Sequence, residues 1–442
     1  MKTNYIIISL IVLIGTISSC RKSDYQLPTE GELINDNGLG TGTVTWTKDM
    51  DLILEGFVFV NDGQTLTIEP GTVIRFKEGQ GATASALIIA RGGKIIANGT
   101  QNEPIIFTAE SDNLNGSIAK DTSGLWGGLI ILGQAEININ NGTSFIEGIP
   151  INEPRGAFGG TNNDDNSGEL SYLSIRYPGT FLHEGNEING LTLGGVGSKT
   201  SIHHIEIINS ADDGIEIFGG SVNLKHIVSL NAHDDAIDYD LGYQGNAQFF
   251  LAIQNSIDHN NLIEGSGSIE PVNSNPISNP TFSNFTLLGS SDSENGTCAT
   301  FNRYSAGKLV NSIIINSNSG ILVEYSGGNS DSYNQWKNGH LKIENNIFYN
   351  VANNIADSIF LLNGSTIPNS VIDEWALYFS YGLNLFINPE ISIENNNIDP
   401  FPKIQTNENL YELNSWFETT NYKGAFGTFD WTEGWTAYKK HL

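Results

Sequence analysis

The chain has 442 residues, with 21 Lys and Arg against 49 Asp and Glu and a net charge of −28. That balance excludes a nucleic-acid partner, which needs a basic surface. It also argues against direct contact with a bare acidic polysaccharide unless divalent cations bridge the two. Charged residues make up only 16% of the chain, with 49 Gly and just 2 Met and 2 Cys, the composition of a repetitive extracellular β-protein and not of a cytosolic enzyme.

In chain order, Lys2 supplies a short positive region, and residues 5–17 form an apolar run too short to span a bilayer comfortably. Ser18 and Ser19 then lead into Cys20. Small residues closing on a cysteine read as a lipobox, with 1–19 as signal peptide and Cys20 as the lipidated first residue of the mature chain. Ordinary cleavage, with Cys20 incidental, is the alternative. Residues 20–43 are polar and read as a flexible tether. With Cys20 lipidated, Cys298 has no partner for an intramolecular disulfide. The expected address is the outer membrane, periplasmic or surface-exposed, with membrane contact through the lipid anchor only.

From residue 44 onward, apolar residues come in short runs: Phe57-Val58-Phe59-Val60, Leu66-Thr67-Ile68, Val73-Ile74-Arg75-Phe76 and Leu87-Ile88-Ile89. Gly, Asn, Asp and Pro punctuate them, so they read as strands. A stretch of helical length waits until residues 370–379. The segment running from Ile205 through Asp212-Asp213-Gly214-Ile215-Glu216 returns 22 residues later from Ile227 through Asp234-Asp235-Ala236-Ile237-Asp238. A period near 22 is one coil of a parallel β-helix, whose strands stack about 4.8 Å apart. A leucine-rich repeat would need a Leu-x-x-Leu-x-Leu pattern, which is missing. Asn209 above Asn231 predicts a turn ladder of side-chain amides. The expected fold is all-β: a single right-handed parallel β-helix (solenoid) over 44–366, followed by a small mixed C-terminal cap over 367–442 with one helix. Two excursions, residues 145–169 and 265–280, are expected to build a lateral face.

Several segments carry a family resemblance: Gly124-Leu125-Trp126-Gly127-Gly128, Ile146-Glu147-Gly148, Arg155-Gly156-Ala157-Phe158-Gly159-Gly160, and the closing Trp431-Thr432-Glu433-Gly434-Trp435. On these the chain resembles the pectate-lyase-like right-handed β-helix superfamily, and more narrowly a set of uncharacterised Bacteroidetes lipoproteins. The resemblance implies fold and compartment. It implies no activity, because fold alone does not give function.

One-coil spacing places Asp212 over Asp234 and Asp213 over Asp235, with Glu216, Asp238 and Asp240 nearby. Like charges this close cannot all stay ionised without help. They hold protons as general acids do, hold a cation, or splay into water. The catalytic version resembles polygalacturonase-type glycoside hydrolases, with Asp213 at the family's first Asp and Asp234-Asp235 at its Asp-Asp pair. The family's Gly-His-Gly and Arg-x-Lys do not follow, and His259 is the stand-in. For lyase chemistry, Lys225 and Arg176 are the nearest bases. The cation version uses Asp212 and Asp238, with Ca²⁺ as the expected ion. A second acidic patch, Asp164-Asp165 within an Asn- and Gly-rich loop, offers alternating oxygen ligands of the same kind. His203, His204, His226 and His233 lack zinc-site spacing. Trp126, Tyr177, Tyr239 and Tyr243 fall in the central coils and are the candidate sugar-stacking residues, against the alternative that they fill the core. The reading favoured by the sequence is a lipoprotein that engages polysaccharide or another extended surface ligand, a surface protein included, with Ca²⁺ assisting. A glycoside hydrolase or polysaccharide lyase using the Asp cluster is second, and a structural or adhesive surface protein third.

Overall fold

The computed structural model describes residues 33–441 except 184–185, 255–258, 270, 291–292, 294, 356–357 and 395–396. Cys20, the signal peptide and most of the tether lie outside the described residues.

The repeat folds as a parallel β-helix. One flank is a ten-stranded parallel sheet running from Phe57–Val60 to Phe360–Asn363. The other flank is built on long strands, Gly168–Arg176, Ser201–Ile208, Asn223–Leu230, Asn246–Ile253 and Thr281–Leu288, stacked in parallel register. Each bends at its centre. Tyr172, His204, His226, Phe249 and Asn284 all hold φ between 50° and 61°, a left-handed kink that lets one strand serve two faces. Earlier and later coils divide the same path between two shorter strands, such as Gly307–Val310 and Ile313–Ser317.

The 22-residue repeat is the strand register. Ile205 pairs with Ile227, then Phe250, then Phe285, all at most 1% exposed. Burying each such side chain stabilises the coil by about 1.5–3 kcal/mol. A second left-handed corner runs through Asn209 and Asn231, residues that tolerate this conformation. The expected ladder is present there, with the Asn231 amide donating to Asn209 Oδ1 at 3.4 Å, and Asn350 repeats it onto Asn316 at 2.8 Å.

The structure departs from the expected organisation in three places. Leu33–Asn35 already pairs with Leu52–Glu55, so the β-helix begins inside the expected tether. Asp36 holds that start: its carboxylate accepts from Phe59 N–H at 3.1 Å and meets Arg155 Nη1 at 2.6 Å. A segment fastened by hydrogen bonds and an ion pair lacks the apolar signature of a coil. Second, a short helix, Ser332–Lys337, precedes the expected one and is capped by Asp331.

Third, the C-terminal region is only partly a cap. Helix Asn369–Ala376 does close the end, with Trp375 packed against Trp336, Phe360 and Tyr378. Residues 409–441 instead return along the bent-strand flank as a strap. Tyr411 N–H donates to Asn311, Tyr422 O accepts from Asn284, and Ala425 N–H donates to Thr286. Trp431 and Trp435 then pack beside a stacked row of Tyr172, His204, His226 and Phe249. Fully buried Glu206 ends the strap, accepting from the N–H groups of Ala437 and Tyr438 at 2.8 Å each.

Glu206→Ala leaves two buried N–H groups unpaired, at about 1–3 kcal/mol each. Amide exchange at Ala437 and Tyr438 should accelerate at least roughly tenfold, while the coil amides at Ile205 and Ile227 stay protected. Glu206→Gln keeps an acceptor and should restore most of the protection.

Candidate functional site: an acidic cleft

The ten-stranded sheet carries the chemistry. In register along it stand Thr192, Glu216, Asp238 and Glu264, one per coil. Just before each strand sits a turn residue, Asn189, Asp213, Asp235 or Asn261. Asn189, Asp213 and Asp235 each use Oδ1 to accept the backbone N–H of the equivalent residue on the next coil, whereas Asn261 Oδ1 accepts from the Thr300 hydroxyl at 2.6 Å. The distances are 3.1 Å for Asn189 to Asp213, 2.8 Å for Asp213 to Asp235 and 2.6 Å for Asp235 to Asn261. One oxygen of each Asp is thereby committed to the turn, which fixes the carboxylate's direction. Gly214 lets this turn pass close to its neighbour, where a Cβ would meet Ser229 Oγ at 2.2 Å.

Above this floor opens a cleft of about 620 Å³, lined by Glu147, Phe181, Glu187, Asn189, Asp212, Asp213, Glu216, Asp234, Asp235, Asp238 and Glu264. Glu147 comes from the first excursion. Phe181 and Glu187 come from the hairpin Thr180–His183 and Asn186–Ile188, which the excursion grips through Gly148 N–H on Asn186 Oδ1 at 2.8 Å. No Lys, Arg or His is among these lining residues.

Burial and mutual repulsion favour protonation along the floor of the cleft. Burial, then Asp234, Glu187 and Glu147, pushes Asp212 up to about 8. Burial holds Asp213, Glu216, Asp235, Asp238 and Asp240 well above the usual carboxylate range, with the surrounding carboxylates adding to it. Asp238 and Asp240 each bury one carboxylate oxygen with no hydrogen-bond partner. Two overlapping groups, Asp212–Asp213–Asp234 and Asp213–Glu216–Asp238, bring one oxygen from each residue within 4.8 Å of the others. That spacing matches oxygens ligating one Ca²⁺, each at about 2.3–2.6 Å from the ion.

The cleft therefore gathers Asp212, Asp213, Asp234, Asp235 and Asp238 from both the catalytic and the cation expectations. It does not gather the others. His259 is 1% exposed, with Nδ1 3.2 Å from Asn260 O, and does not line the cleft. Asp164 turns out to Lys199 at 3.0 Å, whereas Asp165 turns in and accepts from Ser167 at 3.1 Å, so the pair diverges and does not wrap an ion.

The four candidate stacking aromatics are corrected to core residues. Trp126 stacks on Phe76 at 3.8 Å and donates to Arg176 O, and Tyr177 is 2% exposed. The hydroxyls of Tyr239 and Tyr243 reach the internal carbonyls of Ala306 and Val222 at 2.7 and 2.8 Å. A phenol satisfied inside the coil has no face left for a ligand. The aromatic that does reach the cleft is Phe181, 61% exposed.

The sequence reading missed Glu264, Glu147 and Glu187. Glu264 had a signal: Asn261-Leu262-Ile263-Glu264 repeats the pattern of Asp213-Gly214-Ile215-Glu216 and Asp235-Ala236-Ile237-Asp238, after a coil lengthened to 26 residues. Glu147 stands on a loop and Glu187 on the hairpin between coils, and neither belongs to a repeat.

Among known families, the pectate-lyase-like β-helix domain matches residues 38–371. No curated protein and no solved structure matches the chain. Among the described residues, no helix is long and apolar enough to cross a membrane.

Groups whose folded pKa is raised stabilise the fold while protonated and lose that contribution as pH climbs through the folded value. In EDTA, the melting temperature of the wild type should fall as pH climbs above about 4 relative to Asp213→Asn/Asp238→Asn, in which the two raised carboxyls are gone. His204 and His226, which burial lowers to about 3, act in the opposite direction but are common to both proteins. Calcium should raise the melting temperature of the wild type at the alkaline end and leave the variant nearly unmoved. A flat difference curve with no calcium response would remove the cation site.

Proposed function

The chain belongs to the pectate-lyase-like β-helix family, and from its acidic cleft we propose that it engages a polysaccharide outside the cytoplasm through a divalent cation, Ca²⁺, held by the stacked carboxylates. The observation that carries this reading is the pair of carboxylate groups sharing Asp213, whose oxygens converge to within 4.8 Å of one another. Carboxylates that face each other across a cleft, with no basic residue lining it, need a positive charge from elsewhere at neutral pH. A bound cation supplies that charge and presents positive character to sugar oxygens. Asp213, Glu216 and Asp238 would hold it, Asn189 and Asn261 keep the turns in place, and Phe181 offers an apolar face at the cleft. The lipobox ending at Cys20 supports tethering at the outer membrane. A purely structural or adhesive role fits less well, since it calls for a grooveless flank with the Asp side chains pointing apart.

A second reading, glycoside hydrolysis, draws on Asp212, which is pushed up to about 8 and lies in one carboxylate group with Asp213 and Asp234. A protonated acid beside a carboxylate is the pairing that such chemistry uses. One experiment separates the two: binding and depolymerisation of neutral and acidic polysaccharides, with calcium or EDTA, by the wild type and by Asp234→Asn/Asp235→Asn. Calcium-dependent binding without turnover is the expected outcome. Product formation lost in the variant would make the protein a hydrolase, and neither binding nor turnover would end both readings.

A further inference from the structure

The charge of the acidic cleft restricts which sugars it can take. Nine of the eleven residues lining it are Asp or Glu, and the other two are Phe181 and Asn189. Asp213, Glu216 and Asp238 bring one oxygen each into a common group. A further oxygen stands beside them. Thr192 is the register partner of Glu216 and lies between Leu191 and Leu193, which face the core, so its side chain shares the outer face of the sheet with Glu216 and Asp238. Thr192 is 1% exposed and its hydroxyl has no hydrogen-bond partner, and one oxygen of Asp238 has none either. Buried polar atoms left bare are costly, and a cation or a water of its shell would meet both.

We propose that the cleft selects uncharged glycans over uronate chains, binding a pyranose through two adjacent hydroxyls that complete the coordination of the bound Ca²⁺. This rests on the calcium reading of the cleft and adds the class of sugar.

Two balances carry the assignment. The first is charge. Three carboxylate ligands bring −3 to an ion of +2, so the liganded centre already stands at −1. Six more carboxyl groups line the walls, and no Lys, Arg or His offsets them. A sugar carboxylate would enter as one more like charge in a partly dry site, which is unfavourable. A hydroxyl brings no such repulsion.

The second balance is of donors and acceptors. Ca²⁺ takes about 6–8 oxygens. One from each of the three carboxylates and one from Thr192 make four, which leaves at least about two positions open. Neighbouring hydroxyls of one ring fill two positions with a single ligand. Ionised carboxylates only accept hydrogen bonds, and the cleft is walled with them. A diol answers both needs, with neutral oxygens for the cation and O–H donors for carboxylates such as Asp234 and Glu264. Phe181, 61% exposed, offers its ring to the C–H face of the sugar.

Mannohexaose and maltohexaose are titrated into the purified protein by calorimetry, in saturating calcium and in EDTA, beside hexagalacturonate. In calcium, at least one neutral hexaose should bind at least about tenfold more tightly than hexagalacturonate. EDTA or Asp213→Asn/Asp238→Asn should abolish that binding. Phe181→Ala, at an exposed position, should weaken it about tenfold, and Thr192→Val, which keeps the side-chain shape, about threefold. Equal or tighter binding of hexagalacturonate in calcium overturns the selectivity and leaves the calcium reading standing. Neutral binding that survives EDTA or the double variant overturns the diol coordination. If no hexaose binds while calcium still raises the melting temperature, the sugar assignment alone falls. If calcium also leaves the melting temperature unmoved, the reading beneath it falls too.

Discussion

Parallel coils about 4.8 Å apart, in register, force each side chain to sit beside its own repeat equivalent. Inside the solenoid this is favourable: Ile205, Ile227, Phe250 and Phe285 stack as one continuous column. At the corners it is tolerable, because Asn209 and Asn231 join by their amides. On the outer face of the ten-stranded sheet it sets Glu216 against Asp238 and Asp238 against Glu264. The same geometry that builds the core thus concentrates charge. The acidic cleft is a consequence of that register, deepened by walls brought in from two loops.

The turn ladder explains how the backbone accepts this. Asp213 and Asp235 each give one oxygen to the N–H above, so they are structural and chemical at once. An Asn would serve the turn equally well, as Asn189 does on the preceding coil. Acid at the two central rungs is therefore not required by the fold, which is why these two residues carry the functional argument. The opposite flank is organised by the strap, which packs Trp431 and Trp435 beside His204 and His226.

What was legible in the sequence follows from what repeats. The 22-residue period announced the coils, the Asn ladder and the stacking of Asp213 with Asp235, because register turns sequence spacing directly into distance. Glu264 was also legible, through its Asn-Leu-Ile-Glu rung, once a longer coil is allowed. Residues that act across coils without repeating were not. Glu147 and Glu187 reach the cleft from loops, and the Asp36–Arg155 pair closes the first coil across 119 positions. Aromatic side chains misled for a related reason. Tyr239 and Tyr243 sit in the right coils, but sequence does not tell which way a strand residue faces when the coil bends. The C-terminal aromatics read as a cap because solenoids need one, yet only Trp375 and its neighbours serve that end.

The strap has a consequence for how the molecule assembles. Each coil needs only the next few dozen residues to find its partner strand, so the solenoid can close rung by rung as the chain emerges. The strap obeys a different rule: Glu206 meets Ala437 across 231 positions, and Gln101 meets Glu433 across 332. Such long-range links carry a larger loop-closure cost than the rung-to-rung contacts. Until Trp431 and Trp435 pack, the row of Tyr172, His204, His226 and Phe249 stands uncovered, an aromatic seam on the flank. Docking of the strap and sealing of that seam are then one event, so a chain cut before residue 409 would be marked by its bare flank.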